Sequence, residues 1–168
     1  TTTLTYDDFG RKVGEETPLG HYATFTLDKC GHVTETHRCN SADVLLAASK
    51  QVRDEVGRVW ASDEWLDEDA DAAIDAGEWI RTEYAHDDCG RVVVVTDPLS
   101  NETAFTYDAV GRKIGQEDAL GNETQWDFTD DYRVPCEVSE IEVVPGGGTE
   151  TFVTEIVTDE LHRVVERR

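Results

Sequence analysis

Tyr107-Asp108-Ala109-Val110-Gly111-Arg112 is one of two close copies of a single hexapeptide pattern, since Tyr6-Asp7-Asp8-Phe9-Gly10-Arg11 repeats it and weaker versions recur along the chain. Aligned on the closing residue, the copies end at Arg11, His32, Arg58, Arg91, Arg112, Arg133 and Arg163, with intervals of 21, 26, 33, 21, 21 and 30 residues. Three equal intervals set a period of 21, and the longer ones carry insertions of 5, 12 and 9 residues at about 40–48, 63–78 and 138–149. The spacing predicts a single repeat array over 1–168, with copies ending near 11, 32, 58, 91, 112, 133 and 163.

Within a copy the hexapeptide follows alternating residues. Phe105 and Tyr107 fall on one face of a strand with Thr106 on the other, and Phe25 with Leu27 repeats the arrangement. That aromatic stripe is expected to pack inward. The Asp-x-x-Gly that follows is turn chemistry: aspartate accepts backbone N–H groups two residues on, and glycine takes the positive φ that closes a bulged turn. A second turn falls half a period later, at Thr17-Pro18-Leu19-Gly20, Asp97-Pro98-Leu99-Ser100 and Asp118-Ala119-Leu120-Gly121. Each period is therefore two strands and two turns, and one hairpin cannot bury an apolar face alone. The predicted fold is all-β: antiparallel two-strand repeats stacked into an elongated twisted sheet or spiral. Insertions are expected as loops or a short helix, the helix starting at Asn40 or Ser41. Copies 3, 6 and 7 are irregular, with Arg53 in the tyrosine position and with Thr129, Tyr132, Thr158 and His162 disturbing the later turns.

Tyr6 to Arg11 with Leu19-Gly20, and Tyr107 to Arg112 with Leu120-Gly121-Asn122, resemble the YD-repeat, or Rhs-repeat, family. The likeness runs over nearly the whole chain, insertions excepted. That family includes Rhs polymorphic toxins, the C components of insecticidal toxin complexes, wall-associated proteins and teneurins. The resemblance implies a strip of β-sheet wound into a hollow shell, and an extracellular or cell-surface location.

Composition narrows the function. Fifteen Lys and Arg against 37 Asp and Glu give a net charge of −22, which repels phosphate backbones and anionic bilayers, so neither nucleic acid nor a membrane surface is an expected partner. No apolar run reaches the ~20 residues that span a bilayer, so no membrane insertion is expected. Because no methionine is present, residue 1 is not a retained initiator, and the chain reads as a piece of something longer. There is no Gly-x-Ser-x-Gly elbow, no His-Glu-x-x-His and no phosphate-cradling glycine loop, so no enzyme activity is expected.

Two groups carry metal-ligand chemistry. In the second insertion Asp67, Asp69, Asp71, Ala73, Asp75 and Glu78 occupy positions 1, 3, 5, 7, 9 and 12 of an EF-hand-type calcium loop, with Ala72 where the motif wants glycine. A solvated acidic loop accounts for the same residues. Cys30, His32, His37 and Cys39 have zinc-ligand types, but the register puts residues 32–38 in one extended strand, separating the two cysteines by roughly 20 Å at ~3.3 Å per residue. Zinc on that set is disfavoured, and the register pairs none of Cys30, Cys39, Cys89 and Cys136. Asn101-Glu102-Thr103 and Asn122-Glu123-Thr124 are sequons at equivalent repeat positions, which a structural asparagine also explains.

The leading functional expectation is a non-enzymatic segment of a larger secreted or surface protein, building a wall, shell strip or fibre. Its partners would be copies of itself or the rest of a parent chain. Two alternatives differ in where activity sits: an adhesion module binding a protein or glycan through inserted loops, or a shell fragment around a toxic C-terminal effector.

Overall fold

A computed structural model gives the fold and describes residues 1–67, 73–74, 78–128, 134–144, 146–158 and 163–168. Every element among them is a strand, as the alternating pattern predicts. Two compact units divide the chain, Thr1–Tyr84 and Ala85–Arg168.

The first unit holds β1 (Thr3–Tyr6), β2 (Lys12–Glu16), β3 (Tyr22–Leu27), β4 (Val33–Cys39), β5 (Leu45–Arg53), β6 (Val59–Trp65) and most of β7 (Trp79–His86). They lie in chain order, each antiparallel to the next. The second unit repeats this plan with β8 (Val92–Thr96), β9 (Glu102–Tyr107), β10 (Lys113–Glu117), β11 (Glu123–Asp127), β12 (Glu137–Val143), β13 (Thr149–Thr158) and β14 (Val164–Arg167).

The hexapeptide is the corner between strands. At Asp108 the backbone N–H donates to the Arg112 carbonyl at 2.9 Å, and the Gly111 N–H returns to the Asp108 carbonyl at 3.1 Å. Gly111 takes φ +87°, and the register shifts between Lys113 and Gly115, as a three-residue hairpin with a glycine bulge requires. Asp7, Asp28, Asp54 and Asp87 build the same closure. Turns on the opposite edge use it too, with Ser100 at φ +66° and Asp43 at φ +62° standing where glycine is usual.

No helix forms at 40–48. Asn40 Oδ1 accepts the N–H groups of Ala42 at 2.8 Å and Val44 at 3.1 Å, and its own N–H donates to the Val44 carbonyl at 2.9 Å. The chain therefore turns at once into β5, and the five extra residues lengthen β4 and β5 to seven and nine residues. The third insertion behaves alike: β12 and β13 run to seven and ten residues around a turn closed by the Val144 N–H on the Gly148 carbonyl. Most of the second insertion lies outside the described residues. It starts after β6 rather than at 63, because Asp63, Glu64 and Trp65 pair with β7.

The aromatic stripe is half-buried, with Phe105 and Tyr107 partly covered and Thr106 between them exposed. Among the described residues the buried hydrophobics are Ala23, Ala48 and Ala61, and no large side chain is fully buried. Phe105 and Trp126 are instead half-covered by Lys113, whose Nζ sits 5.4 and 4.4 Å from their ring centroids. Cations and neighbouring strands cover these rings.

Candidate functional site

Two regions concentrate side-chain chemistry: the repeat corner, and the strands that frame the second insertion. In the corner, aspartate does three jobs at once. Asp87 Oδ1 accepts the N–H groups of Cys89 at 2.9 Å and Arg91 at 2.8 Å, while Oδ2 accepts Arg91 Nε at 2.6 Å. These donors, foremost the Arg91 backbone N–H, hold the Asp87 carboxyl below the usual carboxylate range.

The arginine also reaches forward. Arg91 Nη1 donates to the Asp108 carbonyl of the next corner at 3.2 Å, and its guanidinium lies 4.8 Å from the Tyr107 ring centroid. The Tyr107 hydroxyl in turn donates to the Val92 carbonyl at 2.8 Å. Arg11 makes the same forward bond to the Asp28 carbonyl at 3.0 Å. The forward bond could not be read from the sequence, since a bond to a residue seventeen positions on leaves no local signal.

Around the second insertion four charged residues, one per strand, form a ladder that sequence reading missed. Glu35 pairs across strands with Lys50, Lys50 with Asp63 and Asp63 with Arg81. Signs alternate, with 3.5 Å between Lys50 Nζ and Glu35 Oε1, and Arg81 grips Asp63 bidentately at 2.7 and 2.9 Å. Asp63 is only 6% exposed, and the Arg81 guanidinium holds its carboxyl below the ordinary range. The unequal insertions hid this ladder, because cross-strand partners can be counted only once strand lengths are known.

Trp65 and Trp79 pair at the mouth of the insertion, and Lys50 Nζ lies 3.7 Å from the Trp79 ring centroid. The loop is pinned at its base by the Leu66 N–H on the Glu78 carbonyl at 2.8 Å. Of the proposed calcium ligands, Asp69, Asp71 and Asp75 lie outside the described residues; Asp67, Ala73 and Glu78 lie within them. Glu78 is buried, at 7% exposure, and its Oε2 accepts the Trp65 indole N–H at 2.7 Å, so this carboxylate is part of the loop's anchorage.

Cys30 sits in a corner and His37 lies in β4, as the register predicts, whereas His32 closes the corner rather than starting the strand and Cys39 ends β4 rather than falling in the turn after it. His37 Nε2 is 3.0 Å from Glu35 Oε1, and all four cysteines are unpaired. The sequon asparagines serve the turns: Asn101 Nδ2 donates to Asp97 and Asn122 Nδ2 to Asp118, each at 2.8 Å, and Asn122 Oδ1 accepts the Val143 N–H at 2.9 Å. A shallow hollow of about 540 Å³ lies over Gly115 in the second unit, lined in part by Thr106, Arg112, Gln125 and Trp126.

Residues 86–123 match the family model described as RHS Repeat. That stretch is similar to an Rhs repeat. The matched stretch runs from the end of β7 to the start of β11 and contains the forward bond from Arg91 to Asp108. Copies outside it close their corners with the same backbone bonds, at Asp7, Asp28 and Asp54. No curated protein matches the sequence. Solved structures that are similar include TcdB2-TccC3 without its hypervariable C-terminal region (TM-score 0.48) and TcdB2-TccC3-TEV (TM-score 0.46), each 13% identical over 99% of this chain and 11% of theirs. The Tc holotoxin pore of Photorhabdus luminescens is also similar, with TM-score 0.45, 13% identity and the same coverages. The chain thus spans about 11% of the length of the solved chains it matches.

Proposed function

We propose that this chain is a non-enzymatic wall segment of a longer, secreted or surface Rhs-repeat protein. The corner carries this reading. The same set of bonds recurs at Asp7, Asp54, Asp87 and Asp108, and at Arg11 and Arg91 it also grips the following copy. Side chains that in an enzyme would converge on a substrate are here committed to closing turns and joining neighbours. A shell around a toxic effector is one setting for such a wall.

A wall strip should carry self-complementary edges. Among the described residues β1 pairs with β2 alone and its four residues are exposed, so its outer backbone groups can take a further strand, from a parent chain or from a second copy. Sedimentation of the chain over a range of concentrations tests the reading, beside a Leu4→Lys variant that blunts the edge and a variant lacking 67–77. The wall reading expects concentration-dependent association that Leu4→Lys weakens and the loop deletion spares. A strict monomer at every concentration, or association abolished only by the loop deletion, overturns it, the latter in favour of adhesion through the insertion.

A further inference from the structure

In the second corner, Asp28-Lys29-Cys30-Gly31-His32, the closing arginine is replaced by histidine and the residue before glycine is cysteine. The backbone closure is unchanged, with the Asp28 N–H on the His32 carbonyl at 2.9 Å. Asp28 Oδ1 accepts the N–H groups of Cys30 and His32, both at 2.8 Å, which leaves Oδ2 facing His32 Nδ1 at 3.0 Å. One ligand atom from each of Asp28, Cys30 and His32 lies within 4.8 Å of the others.

We infer that this corner is a binding site for a borderline-soft divalent transition metal of the zinc class, held by the Asp28 carboxylate, the Cys30 thiolate and a His32 ring nitrogen. Three different donor types converge on one turn whose backbone is already fixed by its own hydrogen bonds. Donors around tetrahedral zinc sit about 3.3–3.8 Å apart, given metal–ligand bonds of about 2.0–2.3 Å, so side-chain rotation closes the set without moving the turn. A thiolate and an imidazole select zinc-class metals over calcium or magnesium. Binding displaces the thiol proton to solvent, and three protein ligands leave one position for water or a ligand from a partner.

The other corners act as built-in controls. Arg11, Arg58, Arg91 and Arg112 occupy the histidine position, and a guanidinium offers a positive charge and no lone pair. The fourth corner, Asp87-Asp88-Cys89-Gly90-Arg91, shares the aspartate and the cysteine and differs in the third ligand. Hence His32→Arg should remove the site and Arg91→His should create another.

Titration calorimetry with zinc chloride on the reduced chain, with magnesium in excess to occupy scattered carboxylates, tests the inference. Cadmium titration alongside it reads the thiolate-to-metal ultraviolet band. The wild type should bind one zinc equivalent, weakened about tenfold or more by Cys30→Ser and by His32→Arg, since loss of a ligand should cost at least as much as loss of an outer-shell partner. The cadmium band should vanish in Cys30→Ser and survive Cys89→Ser. Circular dichroism guards against misfolding, which His32→Arg should not cause because it restores the ion pair seen at Arg11. Zinc binding unchanged in both variants, or no wild-type binding beyond the magnesium-blocked background, would overturn the site.

Discussion

Arg81 holds Asp63 with two parallel hydrogen bonds at 2.7 and 2.9 Å, and the carboxylate they secure is among the few buried polar groups described in the chain. Removing the guanidinium strands a negative charge between strands, while the open side of Arg81 limits the loss. Arg81→Ala should therefore cost about 1–2 kcal/mol, below the range for a fully buried pair. Arg81→Lys should recover only part, because an ammonium cannot fork. Urea midpoints of the two variants and of Asp63→Asn measure this; equal midpoints in all of them would remove the ladder from the account of stability.

At the corners, Asp87→Ala deletes the acceptor for two backbone N–H groups and the partner of Arg91 together. The variant should melt at a lower temperature than the wild type, as a protein that loses a helix cap does. Asp87→Asn retains an acceptor oxygen and should lose less. Thermal melts order the three proteins, and a melting temperature for Asp87→Asn below that of Asp87→Ala would contradict the backbone role.

Acid should unfold the chain through these same groups. The carboxyls of Asp7 and Asp87 are held low, foremost by the Arg11 and Arg91 backbone N–H groups, and those of Asp97 and Asp118 by the Asn101 and Asn122 amides. Each folded pKa lies below the unfolded value of about 3.9, so their contribution is complete above that pH and is lost as pH falls through the folded values. Protonating other carboxylates meanwhile relieves the repulsion of a −22 chain. The melting temperature should hold or rise from pH 7 to about pH 5 and fall below about pH 4. A melting temperature unchanged down to about pH 3 would show that the turn aspartates contribute nothing.

Gly115 lies where a Cβ would collide with Thr106 Oγ1, whereas a Cβ on Gly14 would meet Thr5 and Ala23 at an ordinary 3.4 Å. Gly115→Ala should cost about 1 kcal/mol through a forced Thr106 rotamer, and Gly14→Ala should be near neutral. Adding Thr106→Ala to Gly115→Ala should return stability toward that of Thr106→Ala alone. Failure of the double variant to recover would place the strain in the backbone instead.

The corner was legible because its rules are local: aspartate, glycine and a spacing of four residues specify the turn wherever they occur. Strand alternation was legible for the same reason. The helix expected at Asn40 failed because an asparagine that can cap a helix can equally accept two backbone N–H groups of a hairpin turn, and the strand that follows decides between them. Alternation also gave the face of the aromatic stripe, with Phe105 and Tyr107 half-buried and Thr106 exposed, but not that Lys113 covers Phe105. The ladder from Glu35 to Arg81 and the forward bonds of Arg11 and Arg91 were illegible, since each depends on a neighbour set by insertion length or by a full repeat of separation.

The first and third insertions enter the sheet as longer strands, leaving the corners beside them closed by the usual bonds. Repeat count and rung width are thus independent quantities in this architecture. A lineage can widen one rung by several residues without renumbering the ladder of strands, and each widening adds sheet face at a chosen height. New surface can accumulate there while the hinges of the array stay under unchanged selection.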